Sequence, residues 1–504
     1  MSHLRFGKSP IISPYLINRA DFISCSQQSY VFAYNLLAGL KKCGTFLLNT
    51  TWSDADLSKH LPAYMKRYIA QNDIKFYTVN AVEIAKELGL GGRFNMVMQS
   101  AFFKLANIIP LDKAVKYLKD AVVTSYGSKG EKIVNMNNGA IDKGIEALHK
   151  VEVPADWASA KDEEKPKRDI PAFITEIQEV MNRQEGDSLP VSKFMGEATD
   201  GSYPLSGSSY EKRGTAINVP VWDETKCIGC NQCSFVCPHA TIRPVLTDDA
   251  ELAAAPEGYK HIDLRQFKNL HFTMAVSTMD LGCGNCANIC PKQALTMSPL
   301  TDALKAEQKF FDYGIDPNKV APKNPMKKET VIGSQFEQPL LQFSGACAGC
   351  GETPYVKLLT QLFGDRMQVS NATGCSSIWG GSAPAMPYTI NAKGHGPAWA
   401  NSLFEDNAEY GLGMALGAKS MRENLAAKAK AVIEKGIGSA DLKAALQDWV
   451  DHLNDGNGTR ERADKLTALL EKEKGADAAL ANLYENRDFF VKRSQWIFGG
   501  DGWA

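Results

Sequence analysis

At 504 residues with a net charge of −1, the chain has the length for about two to four domains and no excess of charge to attract a polyanion. A hydrophobic fraction of 44% and a charged fraction of 22% describe an ordinary globular protein rather than a disordered or fibrous one. No run of about 18 apolar residues offers a membrane span, and the opening MSHLRFGKSP lacks a signal-peptide apolar core, so a cytoplasmic protein without membrane or nucleic-acid partners is expected.

Alternating patterns begin the chain. Residues 29–44, SYVFAYNLLAGLKKCG, read as an amphipathic helix closed by glycine, and 44–52, GTFLLNTTW, as a short apolar strand. IKFYTVNAVEIAKELGLGG (74–92) passes from strand to helix and stops on glycine, so an α/β domain with a mainly parallel sheet is expected over 1–155. GLGGRF at 89–94 follows a helix rather than a strand, which makes it a helix C-cap and not a dinucleotide loop. Residues 156–215 are polar, with Pro, Gly and Ser clustered in GSYPLSGSSYEKRG, and read as a long connecting segment; EEKPKRDIP within it is solvated linker. A cysteine-bearing region follows at 216–305, then a Lys- and Pro-rich connector at 306–337. A second α/β region fills 338–504, with a charge-dense helical insertion at 415–490 whose heptads do not persist long enough for a coiled coil.

Twelve cysteines without an export signal argue against a disulfide scaffold, and ten of them fall into three groups at metal-ligand spacing. Cys25 and Cys43 stand apart as buried or idle thiols. The eight histidines are scattered with no pair at ligand spacing, which disfavours a His-based zinc or iron site. CIGCNQCSFVCP places Cys227, Cys230, Cys233 and Cys237 at C-x2-C-x2-C-x3-C-P. Soft thiolates at this spacing suit an iron–sulfur cubane, the fourth cysteine reaching the other cluster of a pair. Structural zinc is the competing reading, although zinc rarely uses this cadence with a closing proline.

MDLGCGNCANICPKQA (279–294) supplies Cys283, Cys286 and Cys290, with Asp280 where the first cysteine of such a run would stand. In a crossed arrangement Cys227, Cys230, Cys233 and Cys290 would hold one cluster. Cys237, Cys283 and Cys286 would hold the other, leaving one iron to Asp280 or solvent. A carboxylate is a harder ligand than a thiolate, so this site is expected to shed an iron and form a three-iron cluster; the alternative is that the second cluster is never built. The third group is Cys347 and Cys350 in SGACAGCGETPY with Cys375 in SNATGCSSIWGGSAP.

Together, SHLRFGKSPI, EKRG at 211–214, the two ferredoxin runs, CAGCGETPY, NATGCSSIWGG, SLFEDNAEYGLGM (402–414) and the terminal IFGGDGWA resemble the pyruvate:ferredoxin (flavodoxin) oxidoreductases of the 2-oxoacid:ferredoxin oxidoreductase family, over essentially the whole chain. The resemblance implies a multidomain α/β protein: a gamma-type oxidoreductase domain (1–155), a linker with an EKR segment (156–215), a two-cluster ferredoxin-like α+β domain (216–305), a connector (306–337) and a truncated thiamine-diphosphate-binding α/β domain (338–504). It implies oxidative decarboxylation of pyruvate with coenzyme A to acetyl-CoA and CO2, electrons passing singly through three 4Fe–4S clusters to ferredoxin or flavodoxin. Cys347, Cys350 and Cys375 match three ligands of the family's proximal cluster. Gly500, Asp501 and Gly502 match the start of the thiamine-diphosphate motif, whose Asp binds Mg2+, and Glu352 matches a position near that cofactor. No catalytic residue is assigned. Family enzymes begin with two further large domains, so the resemblance implies a partial chain, inactive alone, that needs those domains in cis or in trans and works in a homo-oligomer. The alternative is a standalone iron–sulfur electron-transfer subunit without catalytic activity of its own.

Overall fold

The computed structural model describes residues 2–7, 9–162, 168–196, 198–372, 374–382 and 384–499. They form two compact units. The first comprises Met1–Pro171 with Val180–Ser188, the second Ala172–Glu179 with Leu189–Ala504.

In the first unit, β1 (Ala20–Cys25), β2 (Leu40–Asn49) and β3 (Lys75–Val79) are parallel and β4 (His149–Lys150) closes the sheet antiparallel. The period-two alternation of β2 divides its side chains between two cores. Phe46 and Leu48 join Phe76, Met65, Ile69 and Trp157 on one face, while Leu47 joins Val79, Ile84 and Val97 on the other. Both faces are thus covered, as parallel sheets require. The helix expected at 29–44 is overturned: only Tyr30–Ala33 is helical, and Leu40 onward is strand. Gly39, at φ +77°, reverses the chain where a Cβ would stand 2.4 Å from the Asn18 carbonyl oxygen, and Leu40 then pairs with Ala20. Ladder pairing in a buried sheet outweighs the amphipathic pattern. GLGGRF caps the helix Ala81–Glu87 as expected, with the Leu90 N–H donating to the Ala85 carbonyl.

Among the described residues the second unit holds three sheets. β5 (Asn218–Trp222) pairs antiparallel with β9 (Leu295–Pro299). β6 (Ile242–Thr247), β7 (Ile262–Asp263) and β8 (His271–Val276) form an antiparallel sheet in the order β6-β8-β7. β10 (Met367–Ala372), β11 (Ala398–Ser402) and β12 (Ser494–Phe498) are parallel, with β10 central. The expected helical insertion lies between β11 and β12. It comprises the helices Asn407–Glu434, Ala440–Asp451, Thr459–Glu473 and Ala478–Glu485 around Trp449, Leu446, Leu466, Leu470, Leu483 and Phe490. Part of the polar segment at 156–215 packs in this unit rather than trailing as a spacer. The Ser206 and Ser208 N–H groups donate to the Tyr388 and Met386 carbonyls, and Gln178 Nε2 to the Gly207 carbonyl at 2.9 Å.

Strand pairing also gathers histidines whose sequence spacing hides them. Asp263 lies opposite His271 across β7 and β8, and ligand atoms of His261, Asp263 and His271 all lie within 4.8 Å of one another. His271 sits between two carboxylates, Nε2 at 2.8 Å from Asp249 and Nδ1 at 2.6 Å from Asp263, and these hydrogen bonds raise its pKa above the ordinary 6.5. A raised folded-state pKa gives stability that is complete below 6.5 and is lost as pH rises through the folded value. Urea midpoints measured from about pH 5 to about pH 8 will fall with rising pH in the native chain relative to His271→Asn. A pH-independent difference between the two would refute this.

Candidate metal centres

The first cysteine loop is shaped by left-handed backbone at Gly229 (φ +66°) and Asn231 (φ +58°), which turns Cys227, Cys230 and Cys233 inward. Glycine is required at 229, since a Cβ there would stand 2.4 Å from Leu264 Cδ1. Cys233 rides on the short helix Gln232–Phe235, and Cys290 follows the helix Asn285–Ile289. The four cysteines, with Trp222, Met274, Ala294 and Leu295, line one cavity. The Ala294 N–H donates to Cys290 Sγ at 3.2 Å, a contact of the kind that tunes a cluster thiolate.

Cys237 follows the helix Gln232–Phe235 by two residues. It meets Cys283, Cys286 and Asp280 around a second cavity, lined also by His239, Ile242, Leu281 and Asn285. Both Asp280 oxygens are engaged by the protein: Thr241 Oγ1 donates to Oδ2 and the Gly282 N–H to Oδ1, each at 2.6 Å. Thr241 Oγ1 also lies 3.3 Å from Cys237 Sγ. Burial pushes the Cys233 thiol up to about 12 and raises Cys227, Cys283 and, most of all, Cys286. Clustered buried thiols of this kind ionise when a cation discharges them, so the donor set fits iron held by thiolates. Both cavities have the soft donors that iron–sulfur clusters need.

The third group stands at the parallel sheet. Cys347 and Cys350 share one turn, the Cys350 N–H donating to the Cys347 carbonyl at 3.1 Å. Cys375 begins the helical turn that follows β10, and Cys347 and Cys375 are both exposed. The two segments meet through Glu352, whose Oε2 accepts a hydrogen bond from Trp379 Nε1 at 3.2 Å. β12 ends at Phe498, whose carbonyl accepts from Asn371 Nδ2 and Asn407 Nδ2. Gly500, Asp501 and Gly502, beyond that clamp, lie outside the described residues.

The Cys347 turn rests directly on the second cavity. His239 Nε2 lies 3.0 Å from the Cys347 carbonyl oxygen, and a Cβ on Gly349 would stand 3.5 Å from Cys283 Cβ. The Gly349 N–H is also a hydrogen-bond donor to Cys283, and burial lowers the pKa of His239. His239, Thr241 and Lys357, which is buried behind Cys233 and Cys237, carry no sequence signal: they stand outside the cysteine cadence and matter only through contact.

Residues 1–147 match the family model described as pyruvate ferredoxin/flavodoxin oxidoreductase. Residues 161–216 match a domain of unknown function, and 226–293 a 4Fe-4S double cluster binding domain. The chain is 56% identical to the pyruvate-flavodoxin oxidoreductases of Enterobacter agglomerans and Klebsiella pneumoniae, in each case over its whole length and 43% of the relative. To the pyruvate:ferredoxin oxidoreductase of Moorella thermoacetica (strain ATCC 39073 / JCM 9320) it is 51% identical, over its whole length and 44% of the relative. The chain therefore spans less than half the length of these relatives.

Proposed function

Because the chain belongs to the pyruvate:ferredoxin (flavodoxin) oxidoreductase family, we propose that it is the electron-conducting part of an enzyme that oxidatively decarboxylates pyruvate with coenzyme A and reduces ferredoxin or flavodoxin. The observation that carries this reading is the succession of cysteine sites in the second unit. The Cys347 turn packs on the cavity of Cys237, Cys283 and Cys286, and Cys233 and Cys237 on neighbouring turns join that cavity to the one of Cys227, Cys230 and Cys290. Clusters at these places would form a line of one-electron carriers, with the exposed Cys347 end toward the chemistry and the other end toward the acceptor.

Thiamine diphosphate with Mg2+, when bound, supplies the carbon chemistry. The residues of this chain that would hold it are Glu352, hydrogen-bonded to Trp379 beyond the carboxyl end of β10 where open α/β sheets bind their ligands, and Asp501, three residues after β12 in the sequence. In this reading the Asn371 and Asn407 amides fix the end of β12 at Phe498. His239 holds the Cys347 carbonyl, and the apolar lining of the first cavity excludes water from the carrier nearest the acceptor.

Anaerobic reconstitution with iron and sulfide tests the reading. The chain will turn brown, and after reduction by dithionite it will pass electrons to added ferredoxin or flavodoxin in stopped-flow mixing. A colourless product that takes up zinc in place of iron would sink the proposal.

A further inference from the structure

Two cations are buried against the ferredoxin-like sites, and among the described residues no carboxylate pairs with either. Lys357, on the helix Thr353–Phe363, is 1% exposed, and its Nζ donates to the carbonyls of Ser234 and Phe235. Those carbonyls belong to the turn between Cys233, which lines the first cavity, and Cys237, which lines the second. Arg243, on β6, donates from Nε to the Ala240 carbonyl at 2.8 Å and from Nη2 to Gln342 Oε1, with its guanidinium 5.4 Å from the Phe311 ring centre. Burial pulls Lys357 down to about 8 and Arg243 to about 10. The groups that favour their charged forms are cysteines: Cys237 for both, and Cys233 for Lys357.

A buried cation is costly unless an anion faces it. Carbonyl dipoles satisfy the Lys357 donors but bring no net charge. An iron–sulfur cluster with thiolate ligands is anionic and gains one further negative charge on reduction, and net charge is one of the quantities that set its potential. We propose that Lys357 is the counter-charge and positioning residue of the ferredoxin-like pair: it ties down the turn joining the two sites and raises the reduction potential of the cluster seated on Cys237. The inference rests on the seating of clusters proposed above. The step concerned is one-electron reduction of the cluster by the carrier before it, and no bond to Lys357 forms or breaks.

The test is an EPR-monitored redox titration of the reconstituted full chain, with iron and sulfide quantified, for the native protein, Lys357→Met and Lys357→Gln. Methionine removes charge and donors, whereas glutamine removes only the charge and keeps an amide donor for the carbonyls. The expected result is unchanged iron and a fall of about tenfold in the reduced-to-oxidised ratio at fixed potential in both variants. For a one-electron couple that is about 59 mV more negative, largest for the Cys237 cluster. A change under about twofold with full iron content overturns the proposal, as does a native potential in Lys357→Gln. Loss of iron from both variants while the native chain is loaded also overturns it, in favour of a folding role. Failure of the seating itself reads differently: the native chain would hold no cluster, or Cys237→Ala would leave every cluster signal unchanged.

Discussion

Replacing Asp280 by cysteine will add one iron to the second ferredoxin-like site and abolish the three-iron EPR signal expected of the oxidised native chain. Asp280 lines the cavity with Cys237, Cys283 and Cys286, three residues before Cys283, where a cluster run would carry its first thiolate. Its oxygens, however, are already acceptors for Thr241 Oγ1 and the Gly282 N–H. Ligation of iron would weaken those bonds in exchange for a hard donor that iron in a sulfide cluster holds poorly. Asp280→Cys supplies the soft donor and releases Thr241, so the fourth iron stays. Iron quantitation and EPR of the oxidised protein check both halves. Native protein with iron for a single ferredoxin-like cluster and no three-iron signal would mean that the second cluster is never built, and the expectation fails if Asp280→Cys leaves that count unchanged.

Trp449→Ala will cost about 3–5 kcal/mol, the range for truncating a buried large aromatic. Trp449 is 1% exposed at the centre of the inserted helices, its Nε1 donating to the Phe490 carbonyl at 2.8 Å. The Phe490 ring meets it edge-on at 5.0 Å, and the Arg422 guanidinium lies 5.7 Å from its centre. The same Arg422 donates to the Phe489, Phe490 and Leu453 carbonyls, so the cavity left by alanine would loosen a cation that also closes the bundle. The insertion precedes β12 directly, and its loss would free the strand whose Phe498 carbonyl Asn371 and Asn407 hold. Urea unfolding followed by helical circular dichroism will show the drop, with Trp449→Phe falling between the two. Reconstituted iron in the two ferredoxin-like sites should stay at the native level, because no residue of the bundle lines either cavity. A midpoint shift equivalent to less than about 1 kcal/mol would show that the site collapses around the deletion.

How much of this was legible in the sequence varies with range. The C-x2-C-x2-C-x3-C-P run and the three cysteines after Asp280 imply a crossed pair of sites, and the structure gathers those same residues around two cavities. Spacings of two or three residues are properties of a single turn, so they survive whatever fold surrounds them. The amphipathic pattern at 29–44 misled for the opposite reason: β2 takes its conformation from β1 and β3, partners outside that local window. His261 and His271 escaped notice because ten residues of sequence separate groups that strand pairing puts side by side.

The amino-acid sequence by itself determined the α/β class, the grouping of the cysteines, the place of Asp280 in their cadence and the helical insertion, since each depends on local spacing or periodicity. Tertiary structure alone decided what surrounds the donors. It set His239 against the Cys347 carbonyl, brought Thr241 onto Asp280 Oδ2 and buried Lys357 between Cys233 and Cys237. Those contacts join segments from 39 to 123 residues apart, and electrostatic and hydrogen-bond energies depend on distance in space and on burial, neither of which is written in the order of the residues.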